Sequence, residues 1–116
     1  MSQNYDVTVN NSDVLKVKEI EKISDKNILY LNKIVQLSKD NDIELILVSA
    51  PCKLSFEMQK KYNWLRLYAK LNDLDFIDYN VENINLTSGD FYDTGHLSKS
   101  GSIKISNDIK KYFLNK

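Results

Sequence analysis

The feature that most constrains this chain is the run from Ile43 to Val48, five apolar residues interrupted only by Glu44 and closed by Ser49-Ala50-Pro51. A strand half-open to water alternates apolar and polar residues. A run this nearly continuous is what a strand covered on both faces requires, and such strands belong to parallel sheets sandwiched by helices. The flanks agree. Before the run, Ile28, Leu31, Ile34, Val35 and Leu37 recur at helical spacing behind Ser24 and Asp25, either of which can cap backbone N–H groups, so a helix is expected over residues 25–39. Asp40-Asn41-Asp42 breaks it. After Pro51, Ser55 can cap a helix whose stripe is Met58, Tyr62, Leu65 and Ala69, and Asn72-Asp73 then turns the chain into a second strand over residues 74–79.

The ends are read the same way. Tyr5, Val7 and Val9 alternate with polar neighbours as in a short strand, and Val14, Val17, Ile20 and Ile23 suggest a short helix from Ser12. An irregular stretch rich in Asn, Gly and Thr fills residues 80–97. A last helix starts near Ser98, with Ile103, Ile105, Ile109, Tyr112 and Phe113 packed and Lys104, Lys110 and Lys111 on the solvent side. The expected fold is a single α/β domain over residues 1–116: a parallel sheet of two to three strands flanked by helices. Joined by a right-handed crossover, such strands gather ligands beyond their carboxyl ends. That places interest on Ser49-Ala50-Pro51-Cys52 and on the loop holding Asp90 to His96.

Composition narrows the function classes. Sixteen basic and sixteen acidic residues cancel, so no global field steers the chain to nucleic acid or an anionic membrane surface. Lys60-Lys61 and Lys110-Lys111 lie in amphipathic patterns and read as solvated helix faces. Cys52 is the only cysteine, so it has no partner in this chain, and with one histidine it falls short of a zinc set; no metal or cofactor is expected. The start, MSQNYDVTVN, has neither a basic nor an apolar leader region, and no stretch approaches the ~20 apolar residues of a membrane span. The sequence reads as soluble and without a signal peptide. Were it a portion of a longer protein, its compartment, extracytoplasmic included, would be set elsewhere.

His96, the sole histidine, follows Asp93 by three residues just before a helix. At this spacing a turn can fold the carboxylate onto the imidazole, fix its tautomer and leave the other nitrogen free to take a proton. The alternative is a histidine that merely packs or caps at the helix start. The string DFYDTGHLSKSG, with Leu97 after the histidine and Gly101 five residues beyond it, resembles the last block of the SGNH/GDSL hydrolase superfamily. That block reads Asp-x-x-His-Leu, a short polar turn, a small residue and an amphipathic helix. The preceding helix, Ile-Glu-Leu-Ile-Leu-Val strand, proline turn, helix and strand are also similar, so the resemblance spans residues 25–115.

The resemblance implies an incomplete flavodoxin-like three-layer architecture and serine-dependent acyl-ester chemistry, by an esterase or an O-acyltransferase. His96 would be the general base and then acid, and Asp93 its orienting partner. The family's serine sits in a Gly-Asp-Ser-like turn after the first strand, and no such turn occurs here; Ser88-Gly89-Asp90 is reversed in order and in the wrong block. Asn10 and Asn11 sit near where the family keeps an oxyanion-hole Asn, but the Gly-x-Asn-Asp setting is absent and neither is assigned. Ser49 reads as a turn residue, Cys52 as an idle thiol, and Trp64 and Tyr68 as core or interface. Tyr92 either lines a cleft or anchors its loop. Two readings follow. In one, the chain is a portion of a hydrolase or acyltransferase, inactive until an upstream part supplies the serine, and its partner is an acyl-ester substrate. In the other it is a non-catalytic module that binds a protein or forms a homodimer through its sheet edge or a helix face.

Overall fold

A computed structural model of the chain describes residues 9–82 and 84–115. It is mixed α/β, with three helices, a two-stranded parallel sheet and a small antiparallel hairpin. Helix α1 (Asp25–Asp40) leads into β1 (Ile46–Ser49), α2 (Phe56–Leu71) into β2 (Asp75–Asp78), and hairpin strands β3 (Phe91–Asp93) and β4 (His96–Leu97) precede α3 (Lys99–Leu114). Each helix begins where a serine can satisfy an orphan amide: Ser24 accepts from Asn27, Ser55 from Met58 and Ser98 from Gly101. The two helix-to-strand turns share one device. Ile43 N–H returns to Ser38 O and Leu74 N–H to Ala69 O, both at 2.8 Å, around Asp42 and Asp73 at φ 53° and 55°. This is a Schellman ending with aspartate in the left-handed position that glycine usually fills.

Strands β1 and β2 pair in parallel, Ile46 with Asp75 through Ser49 with Asp78. Alternation then sorts the side chains. Ile77, with Tyr79 just beyond the strand, meets Ile105 of α3 in the buried core, to which Ile46, Ile109 and Tyr112 add. Asp78 and Phe76 face the opposite way, onto α2, where the Arg66 guanidinium holds Asp78 at 2.8 Å and lies over the Phe76 ring. The sheet is thus a middle layer between α3 and α2. Tyr79 is buried and its hydroxyl donates to Asp108 at 2.6 Å; burial first, then the Asp108 carboxylate, pushes that phenol well above its ordinary range. Helix α1 lies on the α2 side, joined by the Tyr68 hydroxyl donating to Asn32, while Trp64 stacks on Tyr68.

Several expectations change. The pattern from Ser12 to Ile23 forms no α-helix: a 3-10 turn covers Val14–Lys16, and the following segment lies along α2, held by the Asn63 amide on Val17 O and Glu19 O. Bonds to α2 replace the i→i−4 bonds a helix would have made. The strand expected over residues 5–9 lies, but for Val9, outside the described residues. Strand β1 is shorter and less covered than its apolar run implied: Ile43, 60% exposed, lies ahead of it, and Val48, on the same face of the sheet as Ile77, is 45% exposed. Ile103 and Phe113 of α3 are likewise exposed. Among the described residues no helix is long and apolar enough to cross a membrane, and no group of His, Cys, Asp and Glu could hold a metal ion.

Candidate active site

The loop after β2 supplies the site by a bulge. On β3 the ladder steps from Phe91 to Asp93 while on β4 it steps only from Leu97 to His96, leaving Tyr92 as the extra residue. Paired residues share a face and neighbours alternate. Phe91 and Leu97 therefore go one way, Leu97 into the core, and Asp93 and His96 go the other, toward solvent. Without the bulge, simple alternation would put Asp93 on the same face as Phe91.

His96 Nδ1 lies 2.8 Å from Asp93 Oδ1 and 3.1 Å from Oδ2. The Gly95 N–H donates to Asp93 Oδ1 at 2.8 Å, and this bond first, then the His96 ring, keeps the Asp93 carboxyl below the usual carboxylate range. An ionised carboxylate can only accept. The pairing therefore assigns the hydrogen of neutral imidazole to Nδ1 and leaves Nε2 with its lone pair, the arrangement a general base needs. The ring is 77% exposed, and among the described residues its hydrogen bonds go to Asp93 alone.

The other candidates do not join the dyad. Ser49 is buried and its hydroxyl accepts from Asn80. The Cys52 thiol is pushed up, by burial first and then by the Asp78 charge, which disfavours the thiolate a nucleophile would need. Ser88 and Gly89 belong to a 3-10 turn, where Gly89 O accepts from Ser98 and Ser100. Asn10 Oδ1 accepts from the Ser12 N–H in a local turn. Both ends of the Asn11 amide are engaged: Nδ2 donates to Cys52 O and Oδ1 accepts from Leu54 N–H, each at 2.8 Å. Tyr92 is exposed. A cleft of about 400 Å³ does open at the carboxyl ends of β1 and β2, lined by Pro51, Tyr79, Asn80, Ile84 and Phe91 among others, but neither Asp93 nor His96 lines it.

Sequence reasoning missed the carboxylate that seats the hairpin. Asp90 is 2% exposed and takes the Lys104 ammonium at 2.7 Å, the Ser100 hydroxyl at 2.7 Å and the Thr87 N–H at 2.8 Å. The signal was present as a capping box, Thr87-x-x-Asp90. Lys104 is exposed, as its place on the solvent side implied, and its ammonium is also the Asp90 counter-ion. Burial alone pushes the Asp90 carboxyl up, but Lys104, then Thr87 and Ser100, outweigh it and bring it down to about 2. A carboxyl depressed by folding stabilises above its unfolded value, about 3.9, and that contribution is lost as pH falls from there through about 2. Asp90→Asn should therefore be less stable than wild type by about 2 kcal/mol at pH 6, with the gap closing toward pH 2 in urea titrations. A gap independent of pH would sink this account.

Comparison of the chain with protein-family models, with curated proteins and with solved structures finds no match.

Proposed function

We propose that the chain is a portion of an SGNH/GDSL-type ester hydrolase or O-acyltransferase and supplies its acid–base dyad. The observation that carries this reading is the Asp93–His96 pair, with the carboxylate on Nδ1 and Nε2 unclaimed in solvent. Its setting supports it: a hairpin that follows a parallel β–α–β unit and leads into an amphipathic helix, in the order the family resemblance implies. An incomplete three-layer, flavodoxin-like domain also accounts for an apolar surface that is incompletely covered. Among the described residues, fifteen large apolar side chains are exposed, against seven buried hydrophobic ones. The serine and the oxyanion donors would come from an upstream portion, completing a site in which His96 takes the serine proton and returns it to the leaving group.

The test uses p-nitrophenyl acetate. Alone, the chain should hydrolyse it no faster than its His96→Ala variant. Joined to the polypeptide encoded immediately upstream, it should gain a His96-dependent rate. Activity of the completed protein that ignores His96 would end the reading, and His96-dependent activity of the chain alone would place a nucleophile within it.

A second reading has its own observation. Tyr30, Ile34 and Leu37 recur at helical spacing along α1 and are each more than half exposed, an apolar line beside the buried positions Val35 and Ser38. This suits a non-catalytic module that binds a protein or a second copy of itself. Light scattering at micromolar concentration should then give twice the chain mass of 13.5 kDa, and Ile34→Asp should return it to monomer. A strictly monomeric wild type counts against self-association.

A further inference from the structure

We infer that Asn11 and Asn80 are positioning residues for the Asp93–His96 dyad, acting through the loop that follows β1. The inference rests on the reading of that dyad as an acid–base pair. The loop from Ala50 to Leu54 makes no regular structure, so its backbone groups must be satisfied from outside. Two side chains from distant parts of the chain do this. Asn11 spans Cys52 O and Leu54 N–H, and Asn80 accepts from Cys52 N–H at 2.9 Å while its Nδ2 donates to Ala50 O at 3.2 Å. Asn80 is itself fixed by Asp78, whose Oδ1 accepts its backbone and side-chain N–H. Between the two lies Lys53, whose N–H donates to Thr94 O at 2.8 Å.

Thr94 lies inside the turn between Asp93 and His96, two strands only three and two residues long. A hairpin that short is not stable on its own. The Lys53 bond fixes the carbonyl at its tip, and the two asparagines fix Lys53. The path from Asn11 to the imidazole is thus one side chain, one loop and one backbone bond, and it joins segments more than forty residues apart in sequence. Among the described residues Asn63 makes no bond to this loop, although its amide also ties the amino-terminal segment down, through Val17 O and Glu19 O; toward the site it reaches only Arg66, whose guanidinium donates to it at 3.4 Å and holds Asp78. Asn63 therefore separates general anchoring of the segment from positioning of the dyad.

The experiment reads the tautomer of His96 by imidazole ¹⁵N chemical shifts at a pH where the ring is neutral, on the isolated chain. Wild type should show the Nδ1–H form in excess. Asn11→Ala and Asn80→Ala should each cut that excess at least twofold and raise Lys53 amide exchange at least tenfold, while Asn63→Ala leaves the tautomer unchanged. If Asn11→Ala fails to fold, Asn11→Asp, which keeps the acceptor for Leu54 and loses the donor to Cys52, should give the same change. An unaltered tautomer in the folded asparagine variants, or an equal change in Asn63→Ala, overturns the inference. No ester substrate is involved, so this result stands apart from success or failure of the hydrolase reading.

Discussion

On the proposed reading, with the chain joined to an upstream portion that supplies the serine, His96→Ala should lower the rate of p-nitrophenyl acetate hydrolysis by about a thousandfold or more. The size follows from the role. General acid–base assistance contributes roughly 10²–10⁴ in rate, and removing a triad histidine strips the serine of its proton acceptor as well. Asp93→Asn should cost less, about a hundredfold. Asp93 is 46% exposed at the side chain, so water can take over part of its hold on Nδ1, whereas a buried triad aspartate has no such substitute. An asparagine keeps the shape of the hairpin but removes the charge that favours imidazolium. Initial rates at saturating ester, with His96→Ala, Asp93→Asn and the double variant, check both values. If the dyad acts as a unit, the double variant is no slower than His96→Ala alone; independent losses that multiply would separate the two roles.

How much of this was legible before the structure depends on whether the information was local. Helices α1, α2 and α3 start within a residue or two of where Ser24, Ser55 and Ser98 announced them, because a cap is a contact between near neighbours. The parallel pairing of β1 and β2 followed from two apolar strands joined by a helix. The dyad was legible for the same reason, since Asp93 and His96 are three residues apart. The bulge that aims them outward was not, because a period-two reading has no register for the extra Tyr92. The apolar spacing at Val14, Val17 and Ile20 pointed to a helix, yet that segment's backbone bonds are taken by Asn63 and Lys60. A partner on another element decided it, and no local pattern records one. Asn11, Asn80 and Lys104 were hidden likewise: each is an ordinary polar residue until folding brings Cys52, Ala50 or Asp90 beside it.

Gly101→Ala should destabilise the fold by roughly 3 kcal/mol, although alanine ordinarily improves a helix over glycine by about 1 kcal/mol. Space decides the sign. A Cβ at Gly101 would stand 2.0 Å from Asp90 O, 3.0 Å from Asp90 C and 3.0 Å from a methyl of Leu97. The first obstacle is a backbone carbonyl, which cannot swing aside as a side chain can. That carbonyl accepts from Ser98 N–H at 2.8 Å, and the same residue's carboxylate is buried against Lys104, so moving it disturbs a helix cap and an ion pair together. Leu97 lies in the core and is adjacent to His96, so α3 cannot back away without shifting the strand that carries the dyad. A loss of that size should lower the melting temperature by about 15 °C. Gly89→Ala and Gly95→Ala provide the contrast, because a Cβ there would meet only Thr87 Oγ1 at 3.8 Å and Asp93 Oδ1 at 3.7 Å, and both should stay within about 1 kcal/mol of wild type. A Gly101→Ala protein as stable as these two would mean that the hairpin does not rest on the first turn of α3, and the seat from which Asp93 meets His96 would have to be sought elsewhere.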